Sequence, residues 1–148
     1  MLTDRRPRIT CVHLGDTSVE AAVSSFRCQS YGNRSLIVLS TRRLNFEGVT
    51  SFSVPDWSGG IRGAAIDMAD GELVCWFGPC SPDRLTAQYN ALRADGRASG
   101  AVYASLTDRE ADFRTRWLLT AMFWKKSPEG RVVVADFPHC DYYQVGAE

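Results

Sequence analysis

The stretch GGIRGAAIDMADGELVCWFGP, residues 59–79, carries the clearest structural pattern in the sequence. Two apolar runs, residues 63–68 and 72–77, flank Ala69-Asp70-Gly71. An Asp-Gly pair between two apolar runs of strand length is a strong signal for a β-hairpin. We therefore predict two antiparallel strands here, at the centre of a sheet, with a Gly-Pro turn after the second strand.

The segments around this stretch show strand and helix patterns in alternation. We predict strands over residues 8–14, 34–40, 49–55, 100–106 and 131–137, and helices after Thr17, after Ser81 and after Thr107, the last running to about Lys126. Residues 34–40 form a continuous apolar run, which predicts a strand covered on both faces, whereas 49–55 predicts an edge strand. In the first helix, Thr17 and Glu20 have capping-box spacing, and one apolar stripe joins Val19, Ala22, Val23 and Phe26.

These elements predict a single α+β domain over residues 1–148, a sandwich of ferredoxin-like character. Three helices would pack, mainly on one face, against a mixed or antiparallel sheet of about seven strands. The chain of 148 residues is long enough to bury a core without covalent cross-links. Segments 1–7 and 138–148 are candidates for flexible termini.

Charge and hydropathy exclude several classes of partner. Seventeen basic residues balance seventeen acidic ones, so no overall field attracts nucleic acid or an anionic membrane. The longest apolar run, residues 117–124, has 8 residues, against the roughly 20 that a membrane-spanning helix needs. No signal-peptide pattern follows the first residues. We therefore expect a cytoplasmic protein that binds neither nucleic acid nor membrane.

The cysteine and histidine residues offer two candidate thiol sites. Five cysteines at irregular spacing favour reduced thiols over a disulfide framework. His139 and Cys140 adjoin in the tail, and Cys11 and His13 share one face of the first strand, so either pair could form a thiol enzyme's dyad. An ordinary tail and a core histidine beside a core thiol are the favoured interpretations. With only two histidines, the sequence predicts no metal site.

The loop before the quoted stretch holds the strongest binding candidates. Trp57 lies among small residues on a predicted loop, where a large aromatic side chain more often contacts a partner or ligand. Gly59 and Gly60 allow close approach of a ligand to the backbone, and Arg62 follows them. These residues could contact a phosphate or a flat ring, although a flexible bend into the predicted hairpin is the favoured interpretation.

Residues 61–79, followed by LTAQYNALRADGR, resemble the central part of BLUF domains, the flavin-binding blue-light sensors. The resemblance covers about 40 of 148 residues, and it rests on Ile61, Gly63, Gly71, Gly78, Pro79, Leu85, Tyr89, Arg93, Asp95 and Arg97. It implies FAD as a cofactor, with Asn33 at the position of a flavin-contacting Asn. The chain departs from the family in lacking a Tyr on the first strand and a Gln on the second hairpin strand.

We accordingly expect a binding or regulatory domain that engages a protein partner or a small ligand and is not an enzyme. The apolar second half of the last predicted helix favours self-association or a heterocomplex, through Trp117, Leu118, Met122 and Trp124. A flavin or other aromatic-cofactor sensor, photochemically degenerate, is the first alternative. A thiol-dependent enzyme is the second.

Overall fold

The computed structural model describes residues 6–54, 61–94, 100–104, 119–125 and 142–146. The elements in these ranges, in chain order, are β1 (Ile9–Leu14), α1 (Val19–Arg27), β2 (Arg34–Ser40), β3 (Thr50–Ser53), α2 (Ile61–Met68), β4 (Leu73–Trp76), α3 (Arg84–Ala94), β5 (Gly100–Ala104), β6 (Met122–Trp124) and β7 (Tyr142–Gly146). The predicted class, α+β with three helices and a mixed sheet, is confirmed for this part of the chain.

The described strands form one sheet in the order β3-β2-β1-β4-β6-β5-β7. Strands β3, β2, β1 and β4 run parallel to their neighbours, β6 runs antiparallel to both β4 and β5, and β5 and β7 are parallel. The buried strand predicted at 34–40 is β2, between two neighbours, and the edge strand predicted at 49–55 is β3, at the end of this order. The ferredoxin-like character is not confirmed, because four of the seven described strands, β3, β2, β1 and β4, form a parallel block.

The predicted hairpin is wrong, because its first strand is a helix. Residues 61–68 form α2, which buries Ala65, Ile66 and the following Ala69 against the sheet. Strand β4 then pairs in parallel with β1, with Cys75 opposite Cys11. The run of residues 63–68 is short and contains two alanines, and Ala is the strongest helix former. Periodicity alone does not separate a strand from a helix over so few residues. The predicted second strand and its central position are both confirmed.

Gly71 makes the closest approach between the α2–β4 turn and strand β1. Its backbone N–H donates to Thr10 Oγ1 over 2.8 Å, and the Thr10 hydroxyl donates to Asp70 over 3.0 Å. A Cβ atom on Gly71 would lie only 2.5 Å from the carbonyl oxygen of Arg8. The Asp-Gly pair therefore connects a helix to a parallel strand, at a place where only glycine fits.

Helices cover both faces of the sheet. On one face, α1 and α3 pack against residues of β1, β2 and β4, including Ile9, Cys11, Leu36, Val38, Leu73 and Cys75. On the other face, α2 packs against Val12, Ile37, Leu39, Val74, Trp76 and Phe123. The predicted apolar stripe of α1 is buried in full, as are the predicted inner residues of α3, Leu85, Tyr89 and Leu92.

The last predicted helix is wrong at its carboxyl end, because residues 122–124 form strand β6. Met122 is 0% exposed between β4 and β5, so it offers no surface to a partner, and Trp124 packs against the core. Aromatic residues favour strands. Here Phe123 and Trp124 belong to β6, which lies between β4 and β5 in the sheet. Trp117 and Leu118, most of the predicted helix and the predicted strand at 131–137 lie outside the described residues. The tail contributes β7.

No helix within the described ranges combines the length and the apolar character needed to cross a bilayer.

Candidate functional site

A cavity of about 260 Å³ opens at the carboxyl ends of β1 and β4. The strand order reverses between these two strands, since β2 and β3 lie on one side and β6, β5 and β7 on the other. Ligands of open sheets of this kind bind outside the carboxyl ends of the strands, where the order reverses. We call this cavity the switch-point cleft; it is lined by residues 12–14, 17–18, 76–79 and 119–120, with Arg62 and Arg84.

The loop from β1 to α1 forms one wall of the cleft. Gly15 has φ 118° and Ser18 has φ 61°, a left-handed conformation that costs a non-glycine residue about 1–2 kcal/mol. Ser18 is the N-cap of α1 but makes no side-chain capping bond, so the predicted capping box at Thr17 is wrong. The first backbone N–H groups of α1 have no partner within the helix, and this end of the helix faces the cleft.

Asp16 fixes the same loop to the end of β2. Its carboxylate accepts hydrogen bonds from the backbone N–H of Thr41, over 2.7 Å, and from the Thr41 hydroxyl. These two bonds lower the pKa of Asp16, so the carboxylate remains ionised and bonded. The loop is thus held in place by a strand end rather than by the helix cap.

His13 connects the two sides of the cleft. Its Nδ1 lies 3.0 Å from the carbonyl oxygen of Phe77, and its Nε2 lies 3.1 Å from that of Thr17. Carbonyl oxygens only accept, so a neutral ring can donate to one of them and the imidazolium can donate to both. The ring is 6% exposed. His13 therefore joins the β1–α1 loop to the end of β4.

Trp76 and Arg62 form the wall on the α2 side. The Arg62 guanidinium carbon lies 4.6 Å from the centre of the Trp76 ring, a distance at which a cation is attracted to the ring face. Trp76 is 2% exposed, and its Nε1 is buried without a hydrogen-bond partner. A buried indole N–H usually finds an acceptor. This donor is therefore the unsatisfied polar group of the cleft wall.

Arg84 lies beneath the cleft and is buried. Its Nη2 lies 2.6 Å from the carbonyl oxygens of both Trp76 and Thr120, and its Nε donates to Gln88 Oε1 over 2.9 Å. The Gln88 amide donates in turn to the carbonyl of Thr120 over 2.8 Å. The bonds to Trp76 and Thr120 fix the backbone of the cleft floor, because they join α3 to β4 and to the segment before β6. The Arg84–Gln88 bond lies within α3 and orients both side chains.

Of the two predicted ligand residues within the described ranges, Arg62 and Asn33, one lies at the cleft. Arg62 lines it, but from the first turn of a helix rather than from a loop. Asn33 bonds to Arg6 and Arg8 at the amino end of β1, about 10–17 Å along the strand from the lining residues of β1 at about 3.3 Å per strand residue. Trp57, Gly59 and Gly60 lie outside the described residues.

Three of the described thiols, Cys11, Cys75 and Cys80, are not activated. Burial raises the pKa of Cys11 well above its usual value, raises that of Cys75 to about 11 and raises that of Cys80. Thiolates carry the nucleophilic reactivity of cysteine, so a raised pKa opposes it. Both ring nitrogens of His13 face carbonyl oxygens, and neither is directed at Cys11. The other predicted pair, His139 and Cys140, lies outside the described residues.

Sequence reasoning missed Trp76, Ser18 and Arg84 as residues of a site. Trp76 has the pattern of a core residue, and Arg84 that of an ordinary polar residue in the first turn of a helix. Positions at or just after the carboxyl ends of parallel strands would have indicated Trp76 and Ser18. Arg84, eight residues beyond the end of β4, has no such signal. Because the Asp-Gly pair was interpreted as a hairpin turn, residues 72–77 were predicted to pair in an antiparallel arrangement. The carboxyl end of a parallel β4 was therefore not expected.

No protein-family model matches this chain, and no curated protein matches it either.

Proposed function

We propose that this chain is a binding domain that holds a small ligand in the switch-point cleft and acts by binding rather than by catalysis. The observation that carries this proposal is the cleft's position, at the carboxyl ends of β1 and β4 where the strand order reverses. Clefts at this place in open sheets are the usual ligand sites of such folds. Its walls are held by hydrogen bonds to strand ends, which favours a preformed site.

The chemistry of the cleft favours binding. Among the described residues that line it, the groups able to contact a ligand are guanidinium, imidazole, indole and hydroxyl groups. The imidazole of His13 is committed to backbone carbonyls, which leaves it poorly placed to act as a general base. No cysteine lies among these residues, so a covalent thiol step has no support from this cleft.

The size of the cavity favours a small ligand. Its volume of about 260 Å³ lies near the lower end of the ~300–1,000 Å³ typical of pockets for drug-sized ligands. FAD, with two ring systems and a diphosphate, is larger than such ligands. The ligand we propose is therefore smaller than the cofactor that the BLUF resemblance implies.

The test compares the same substitution, glycine to leucine, at one position inside the cleft and at one position outside it. Gly78 lines the cleft, Gly63 lies on α2 outside it, and a Cβ at either position meets nothing within 4 Å. We expect at least one member of a panel of small phosphorylated and unphosphorylated metabolites to raise the melting temperature of the wild-type protein. A ligand present at about 100 times its Kd raises the free energy of unfolding by about 2.7 kcal/mol. Gly78→Leu should abolish this effect, and Gly63→Leu should keep it.

Two results contradict the proposal. The first is a panel in which no compound changes the melting temperature of the wild-type protein and no small molecule accompanies the purified protein in native mass spectrometry. The second is a ligand effect that Gly78→Leu leaves intact, because the ligand would then bind elsewhere.

A further inference from the structure

We infer that the switch-point cleft recognises a phosphate group and does so without a divalent metal ion. This inference rests on the proposed function, since it names the chemistry of the ligand for the same cleft. Three independent observations lead to it: the charge of the lining, the unsatisfied indole of Trp76 and the exposed start of α1.

The described lining is rich in cationic groups and contains no carboxylate. It includes the guanidinium groups of Arg62 and Arg84, and neither Asp nor Glu is among its described residues. Proteins hold Mg²⁺ through one or two carboxylates together with the phosphates of the ligand. With no carboxylate in the described lining to hold such an ion, Arg62 supplies positive charge opposite an anion at the cleft wall, and the buried guanidinium of Arg84 adds positive charge beneath the floor.

The indole N–H of Trp76 has no hydrogen-bond acceptor among the described residues. Its Nε1–H is a donor only, and it is buried in the cleft wall without a partner. Leaving a buried donor unsatisfied costs about 1–3 kcal/mol. An anionic oxygen that enters the cleft would relieve this cost and would also attract the neighbouring Arg62 guanidinium.

The start of α1 supplies backbone donors to the same cavity. Thr17 and Ser18 line the cleft, and Ser18 makes no capping bond to the first turn. The free N–H groups and the positive end of the helix dipole favour an anion at this point. Three different elements, the start of α1, α2 and β4, thus each place a donor-bearing residue in the lining of one cavity. A phosphate, with its three oxygens, accepts from several directions, whereas a carboxylate offers two oxygens in one plane.

The decisive signal is the indole N–H of Trp76 in a proton–nitrogen correlation spectrum of the ¹⁵N-labelled protein. The chain has four tryptophans, and the Trp76→Phe variant identifies which of the four indole signals belongs to this residue. We expect inorganic pyrophosphate to shift this signal downfield in the presence of EDTA, as a new acceptor would. Acetate at the same ionic strength should leave it in place.

Arg62→Gln provides a second readout that does not depend on the indole. We expect it to weaken pyrophosphate binding about tenfold or more, since hydrogen bonds to charged groups contribute about 1.5–3 kcal/mol. Arg93→Gln is the matched control, because Arg93 is exposed near the end of α3 and does not line the cleft. This control should bind like the wild type. If Trp76→Phe does not fold, the signal can still be assigned by its loss of intensity near a spin label at position 63.

Several outcomes would overturn the inference while the proposed function survives. One is a shift that EDTA abolishes and Mg²⁺ restores. Another is an equal response to acetate and pyrophosphate, or a ligand of neutral chemistry that binds in the cleft while pyrophosphate does not. Failure of every ligand to perturb the cleft would instead remove the proposed function itself.

Discussion

Arg84 and Thr120 are joined by a hydrogen bond in the interior of the protein, with Arg84 Nη2 2.6 Å from the Thr120 carbonyl oxygen. The same nitrogen lies 2.6 Å from the carbonyl oxygen of Trp76. One guanidinium therefore ties α3 to the end of β4 and to the segment that enters β6. This relationship explains how a short antiparallel strand is held beside a parallel block.

Replacement of this guanidinium should destabilise the fold. We expect Arg84→Met to lower the free energy of unfolding by about 2 kcal/mol, because the carbonyl groups of Trp76 and Thr120 each lose a charged donor and such hydrogen bonds contribute about 1.5–3 kcal/mol. The Thr120 carbonyl keeps the Gln88 amide as a donor, which limits the loss. Urea unfolding followed by tryptophan fluorescence measures the change. Arg93→Met, at an exposed position of the same helix, should change stability by less than about 0.5 kcal/mol. Equal effects of the two substitutions would show that Arg84 has no special structural role.

Two glycines of the stretch around α2 should respond in opposite directions to alanine. Gly71→Ala would place a Cβ 2.5 Å from the Arg8 carbonyl oxygen and 2.8 Å from the Thr10 backbone nitrogen. We expect a loss of about 1–3 kcal/mol or more, since backbone has to move to admit it. Gly63→Ala meets open space within a helix and should gain up to about 1 kcal/mol. Thermal unfolding of both variants tests the pair. A stable Gly71→Ala protein would contradict the close approach to β1.

Asp70 should make stability depend on acidic pH. Burial by itself would raise the pKa of Asp70, but hydrogen bonds from Thr10 and Ser35 and the charge of Arg8 lower it overall from 3.8. Because the folded pKa lies below the unfolded one, the stabilisation is complete above the unfolded pKa and is lost as the pH falls through the folded pKa. Its size should stay below about 1 kcal/mol, since the side chain is 63% exposed and water screens the pair.

Unfolding of Asp70→Asn at about pH 6 and about pH 3 measures this contribution. We expect the variant to lose less stability than the wild type between the two pH values. Asp67→Asn, at an exposed position on α2, is the matched control for the removal of one carboxylate. A variant at Asp70 with the same pH dependence as the wild type would assign the acid sensitivity to other carboxylates.

Thiol labelling should discriminate the cysteines by burial. Cys28 is exposed, whereas Cys11 and Cys75 are buried, and burial raises the pKa of Cys75 to about 11. We expect Cys28 to react with iodoacetamide in the folded protein and the two buried residues to react only after unfolding, as peptide mapping by mass spectrometry would show. Fast labelling of Cys11 or Cys75 at neutral pH would favour the thiol-enzyme alternative.

The sequence by itself determined the elements whose patterns are local. The stripe of α1 predicted its buried face, because residues three and four apart share a helix face. The apolar run at residues 34–40 predicted β2 and its position within the sheet, because a strand covered on both faces needs apolar side chains on both. The inner residues of α3 followed from the same periodicity.

Tertiary structure alone decided the conformation of residues 61–68 and 122–124 and the existence of the cleft. An alanine-rich run of eight residues fits a helix or a strand, and packing of Ala65 and Ile66 on the sheet selects the helix. The Asp-Gly pair has local turn chemistry in either case, but its approach to β1 depends on atoms 60 residues away in the chain. The cleft exists only because β1 and β4 are parallel neighbours. Strand direction and pairing depend on long-range hydrogen bonds, and these leave no local pattern in the sequence.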